Sequence, residues 1–197
     1  MKNDFLDKGR VNQKLGTRDK ILAAAQYFLN KGTDFTLDDI SKQAGISRAT
    51  IYRYYSNVDE LAGEAGLAIK TQKPETLYDS VKDLDLEEAI LAVQKYYNTL
   101  ALDHEHAFRK YLAIAITSMS KLKRGARRVK TLRLVLEKAN LTKSEKTNLI
   151  NLFTVLMGIE PLIVTKDVCG LDNEQSKDLL KWGMEMILKG IAKDQKS

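Results

Sequence analysis

Only two prolines, Pro74 and Pro161, interrupt 197 residues, and no run of apolar residues alternates with polar ones long enough to make a half-buried strand. What recurs is a spacing of three and four. Ile21, Leu22, Ala25, Phe28 and Leu29 form one stripe, and Leu86, Ala89, Ile90, Val93, Tyr97 and Leu100 a second. Phe108, Tyr111, Leu112, Ala115, Ile116 and Met119 form a third, and Val129, Leu132, Leu136 and Ala139 a fourth. Such stripes are buried by packing helix on helix, so the expected fold class is all-α, with about nine helices. At 44% apolar, the chain has enough material for one large core or two small ones.

The signals at the helix ends divide the chain further. Residues 1–16 are polar and without period, and read as a flexible basic arm carrying Lys2, Lys8, Arg10 and Lys14. Thr17 is the expected N-cap of the first helix and Gly32 its end. Thr36 and Asp39 have the spacing of a capping box, opening a short segment that stops at Gly45, and Ser47 caps another. Neither segment is long enough to be stable alone. Only Gly45 and Ile46 lie between Ala44 and Ser47, so the chain turns sharply there. Glycine supplies the backbone freedom and Ile46 an apolar plug, which together make a helix-turn-helix. On its second helix Ile51 and Tyr55 share a face that can anchor against Ile40 and Ala44, while Arg48, Ala49, Tyr52 and Arg53 point away.

An α-helix fits the major groove of B-DNA, and its N-terminal residues reach the base edges. Arg48 stands there and can offer a guanine two donors, worth about 1–3 kcal/mol of discrimination. Arg53 is placed to do the same or to clamp a phosphate. Thr36 brings a hydroxyl and free N–H groups to a phosphate oxygen, Thr50 a methyl to thymine, and Ser47 either caps or joins the contact. With 32 basic against 26 acidic side chains, a net charge of +6 and a pI near 9.2, the chain suits an anionic partner.

The set Gly32, Thr36, Ile40, Ala44-Gly-Ile-Ser47, Ala49-Thr-Ile-Tyr52, Tyr54-Tyr55 and Glu60-Leu61 resembles the DNA-binding signature of the tetracycline-repressor (TetR) family. The likeness covers some 45 residues, Thr17 to Leu61. Two positions depart from it: Val58 stands where the family usually has a phosphate-binding lysine, and Tyr54 where a histidine is common. The resemblance implies phosphate contacts from the Tyr52 and Tyr54 hydroxyls. It also implies a repressor acting as a homodimer on double-stranded DNA with a palindromic operator. The last two long helices would pair with their copies, with Leu156, Ile159, Ile163, Trp182, Gly183, Met186 and Ile187 as interface candidates. The helices after the reader would enclose a cavity for a small-molecule effector, with Tyr96, Tyr97, Phe108, Tyr111 and Phe153 as lining candidates.

The expected domains are therefore a helix-turn-helix domain over 17–62, with a linking helix opened at Ser56 or Asn57 and reaching about residue 71, and an effector-binding and dimerisation domain over 72–197. A loop containing Pro74 runs from Gln72 to Asp83 between them. Thr142 and Glu145 cap a long helix whose Leu149 to Val164 stretch is apolar nearly all round. The final helix, with Leu180, Trp182, Met184, Ile187 and Ile191, likewise has more apolar surface than one core face uses.

Other function classes find less support. There is no Ser/His/Asp set, phosphate-cradling glycine loop or carboxylate-histidine pattern, so neither an enzyme nor a cofactor is expected. Asp103-His-Glu-His106 has metal-ligand residue types, but neighbours on a helix point apart, and a capped helix start is expected instead of a metal site. Lys121, Lys123, Arg124, Arg127, Arg128 and Lys130 read as a solvated helix junction. The single cysteine, Cys169, is expected as a small buried residue and fits a reducing cytoplasm, and neither export nor a membrane span is expected. A regulator answering to a protein partner or to no ligand is the alternative to effector control.

Overall fold

The computed structural model describes the backbone of residues 2–67, 71–117 and 126–194, and the side chains of 15–66, 71–117 and 126–191. Every regular element among them is helical, in two compact units. The first unit gathers residues 1–70 with 104–121, and the second 71–103 with 122–197.

The first unit consists of α1 (Lys2–Lys31), α2 (Leu37–Ala44), α3 (Arg48–Tyr54), α4 (Val58–Leu67) and α7 (Glu105–Thr117). Ile21, Ala25 and Leu29 of α1 are buried with Ile40 of α2, Ile51 of α3, and Leu61, Ala62 and Ala65 of α4. Thr17 does not cap α1: the backbone is already helical from Lys2, and the side chains of 1–14 of the expected arm lie outside the described residues. Gly16 costs a helix only about 1 kcal/mol relative to alanine, and no proline stands nearby to end it. The α1 C-terminus does end where expected, with Gly32 at φ +70°.

Helix α7, grouped by its position in sequence with the 72–197 domain, packs against α1 and α4. Gly66 of α4 permits this approach. A methyl group at Gly66 would lie 2.9 Å from Tyr111 Cβ and 3.3 Å from the Ala107 carbonyl oxygen. Gly66→Ala is therefore expected to destabilise the unit by about 1–3 kcal/mol, exceeding the roughly 1 kcal/mol that alanine gains in a helix. A thermal melt unchanged from wild type would refute this close packing.

The second unit holds α5 (Pro74–Asp79), α6 (Leu86–Asp103), α8 (Ala126–Leu136), α9 (Lys143–Val155), α10 (Ile159–Ile163), a π-helical turn (Val164–Val168) and α11 (Asn173–Asp194). Leu77, Ile90, Val93, Tyr97, Leu132, Leu136, Phe153, Met157 and Met184 belong to its core. Two expectations change here, and they raise the count to eleven α-helices among the described residues. The stretch 72–83 is not all loop, because Pro74 occupies the first turn of α5, where its fixed φ and missing N–H cost nothing. The long helix expected after Thr142 breaks at Gly158, whose φ of +91° and ψ of −162° no helix can hold.

Buried polar groups take up the backbone freed by that break. Asn98 Oδ1 accepts from Gly158 N at 2.8 Å, and Gln94 Nε2 donates to the Leu156 and Leu180 carbonyls at 3.0 and 2.8 Å. Arg128 donates to the Met157 carbonyl and holds both Glu160 carboxylate oxygens, at 3.0 and 2.8 Å. Both amides are almost fully buried, and their satisfied hydrogen bonds offset the cost of placing them there. Among the described residues no single helix is long and apolar enough to cross a membrane.

Candidate nucleic-acid interface

The reader is assembled from short-range caps. Thr36 accepts from Asp39 N at 3.2 Å while its own N–H donates to Asp39 Oδ2 at 2.9 Å, completing the capping box that starts α2. The Thr36 hydroxyl, donating to Asp39 Oδ2 at 2.7 Å, and next the Thr36 N–H hold the Asp39 carboxyl below the usual carboxylate range. At the other end Gly45 takes φ +64°, Ile46 N donates to Ser41 O at 3.1 Å, and Ser41 Oγ donates to Ile46 O at 2.6 Å. Ser47 then caps α3, accepting from Thr50 N at 3.3 Å while its hydroxyl donates to Thr50 Oγ1 at 3.0 Å. The corner is thus tied on both sides, which fixes the direction in which α3 leaves α2.

Burial separates the two faces of α3. Ile51 is fully buried and Tyr55, just past the helix end, nearly so. Burial pushes the Tyr55 phenol up to about 12, the nearby Glu64 carboxylate adding to the shift and Arg18 opposing it. Opposite this anchor, Arg48, Ala49, Tyr52 and Arg53 are exposed, with Thr50 and Tyr54 half-buried at the edges. Thr36 and Ser47 are exposed too. Arg48 Nε lies 2.6 Å from Asp38 Oδ1, which brings the start of α3 beside the start of α2, and therefore beside Thr36. All eight candidate DNA contacts belong to the first unit. Sequence reasoning missed Asp38; the only signal was an acid one residue before the capping-box acid.

α4 starts at Val58 behind Asn57, whose Oδ1 accepts from Glu60 N at 2.8 Å, while Glu60 reaches back to the Ser56 N–H at 3.0 Å. Val58 is half-buried, with no charge to offer at that helix start.

The aromatic residues expected to line one cavity are spread out. Tyr96 borders an open groove of about 490 Å³ with Leu77, Val81, Leu84, Ala92 and Leu100, its hydroxyl accepting from Gln72 N at 2.7 Å. Tyr97 is core, its hydroxyl paired with Thr131 Oγ1 at 3.2 Å. Phe153 is fully buried and borders a smaller cavity of about 140 Å³. Phe108 and Tyr111 lie on α7 in the first unit.

Of the interface candidates, Trp182 is 58% exposed and Met186 40%, with Leu179 at 41% on the same stripe of α11. Leu156, Ile163, Gly183 and Ile187 are half-buried and Ile159 buried. Val155, Val164 and Val168 add exposed apolar surface that sequence reasoning did not single out. Cys169, which directly follows the π-turn, is exposed and not buried as expected. In the Asp103-to-His106 stretch the side chains diverge. His104 Nδ1 lies 3.1 Å from Asn30 Oδ1, Glu105 pairs with Arg109 at 2.8 Å, and His106 faces Gly32. Lys121, Lys123 and Arg124 of the basic cluster lie outside the described residues. Of the remainder, Arg128 serves the helix break and Lys130 pairs with Glu75 at 2.5 Å.

Residues 21–65 match the family described as bacterial regulatory proteins, tetR family, a span that takes in α2 and α3 with the parts of α1 and α4 packed around them. No curated protein matches the chain.

Proposed function

We propose that this chain, whose residues 21–65 match the tetR family of bacterial regulatory proteins, is a DNA-binding transcriptional regulator of that type and a cytoplasmic repressor. It binds a palindromic operator as a homodimer and is released by a small-molecule effector. The observation that carries the DNA half of this reading is the division of α3, with Ile51 locked in the core and Arg48, Tyr52 and Arg53 left outward. Arg48 reads a base, Thr36, Tyr52 and Tyr54 grip phosphates, and Arg53 serves either purpose.

The dimer reading is supported by the apolar stripe of Leu179, Trp182 and Met186 on α11, together with Val155, Val164 and Val168. Exposed aliphatic and aromatic groups at this density suit a self-complementary two-fold contact. Gly183 has open space where a side chain would stand, which leaves room for a second helix. Two-fold symmetry then presents two recognition helices to inverted half-sites. For the effector, the Tyr96 groove is the favoured place, since one of the aromatic candidates borders it and its volume falls within the range of about 300–1,000 Å³ common to ligand sites. A ligand from a chemical library that raises the melting temperature and weakens operator binding would support effector control, because only a state-selective ligand does both. A ligand that stabilises the protein and leaves operator binding untouched speaks against it.

Val58 gives a direct test of the phosphate grip. Val58→Lys places a cation at the start of α4, and each added phosphate contact steepens the dependence of log affinity on log salt by about 0.9. With one contact per protomer, the slope for a dimer is expected to steepen by about 2, with sequence preference unchanged. An unaltered slope would show that the start of α4 does not meet the DNA backbone.

A further inference from the structure

We propose that Asp38 is a specificity-determining residue, positioning the Arg48 guanidinium for base readout; this rests on the reading of Arg48 as a base contact. Three observations lead there. Asp38 Oδ1 is shut off from solvent and takes no hydrogen bond among the described residues, so the guanidinium 2.6 Å away is the charge that compensates it. The ion pair engages the Nε side of the guanidinium, and no other ion pair or hydrogen bond is made by its two terminal amino groups among the described residues. Those two groups form the fork that matches the O6 and N7 acceptors of guanine. Finally, the Arg48 side chain remains 65% exposed, so the carboxylate restrains one edge without covering the rest.

A carboxylate in this position has a cost for DNA binding, although in the first turn of α2 it also favours the helix N-terminus. It lies at the start of α2, next to the residue proposed to hold a phosphate, and there it repels the DNA backbone. It also removes rotamer freedom from a long side chain before DNA arrives, so that less ordering is left for the moment of binding. General affinity and discrimination thus move in opposite directions when Asp38 is neutralised. A residue that merely held the fold would lower both.

The experiment uses the full-length chain and an operator selected from random DNA, beside a copy altered at the base pair that Arg48 reads. Asp38→Ala is expected to reduce the preference for the selected operator by about threefold to thirtyfold, a range typical of coupled neighbours. Its binding to unrelated DNA stays equal or rises. Asp38→Asn, which keeps the shape but not the charge, falls between, and melting temperatures establish that both variants are folded. In an Arg48→Ala background, Asp38→Ala has no further effect on preference. A preference that is unchanged or sharpened in Asp38→Ala overturns the inference, as does an equal loss in both backgrounds. If Arg48→Ala alone keeps the full preference, Arg48 reads no base, and the underlying reading falls together with this one.

Discussion

Arg48→Ala is expected to weaken operator binding by about 1–3 kcal/mol in each half-site, and so by about 2–6 kcal/mol over a palindrome bound by two protomers. In affinity that is roughly thirtyfold to twenty-thousandfold. The loss should be selective. Competition with operators changed one base pair at a time should show relaxed preference at one position in each half-site, with binding to unrelated DNA much less affected. The residue's geometry is the reason: it opens α3, is exposed, and stands on a helix whose opposite side is locked by Ile51. Because Arg48 also compensates the shielded Oδ1 of Asp38, thermal unfolding of the variant must be followed alongside. A folded variant that keeps its preference at every operator position would remove Arg48 from the readout.

The second large effect is expected at the other end of the chain. Trp182→Glu puts a charge on the exposed aromatic of the α11 stripe, and in the proposed dimer two-fold symmetry would bring each change to the interface twice. A buried tryptophan at an interface centre is typically worth 2 kcal/mol or more, so the dimer is expected to weaken by about 4 kcal/mol, roughly a thousandfold. Sedimentation at micromolar concentration should then find monomer, and affinity for the palindrome should fall towards that for a single half-site. The fold itself should survive, because at 58% exposure Trp182 contributes little to the core of its own chain. A variant that remains fully dimeric would move the interface away from α11.

What could be read ahead of the structure were devices that close within a few residues. Thr36 with Asp39, Gly45 with Ile46, and Ser47 with Thr50 each complete their hydrogen bonds over three to five positions, so spacing alone exposes them. Ile51 and Tyr55 likewise follow from helical geometry once the helix is placed. Pro74 misled because the same ring that breaks a helix interior is favoured at a helix start. Gly158 was hidden inside a stretch apolar on all sides, where no stripe marks a change of direction. Its partners Asn98 and Arg128 are 60 and about 30 residues away along the chain. Gln94 and Asn98 did leave a trace, as polar residues one turn apart within the buried face of α6, but that trace does not name what they bond. Asp38 and Arg48 meet across a tight turn, and no periodicity rule pairs positions ten apart on two helices.

The same limits apply to the ligand side. Tyr96, Tyr97 and Phe153 share helical spacing with ordinary core, and two of them prove to be core. Only packing reveals that Tyr96 alone of the three borders an open groove of useful size.

The central claim is that this protein reads a specific two-fold DNA sequence through α3. Selection of bound sequences from a random DNA pool tests it most directly. Enrichment of an inverted repeat is expected, its half-sites separated by about one helical turn or more, with a strongly preferred base pair in each. Enrichment of no sequence, with weak and steeply salt-dependent binding to all of the pool, would contradict it.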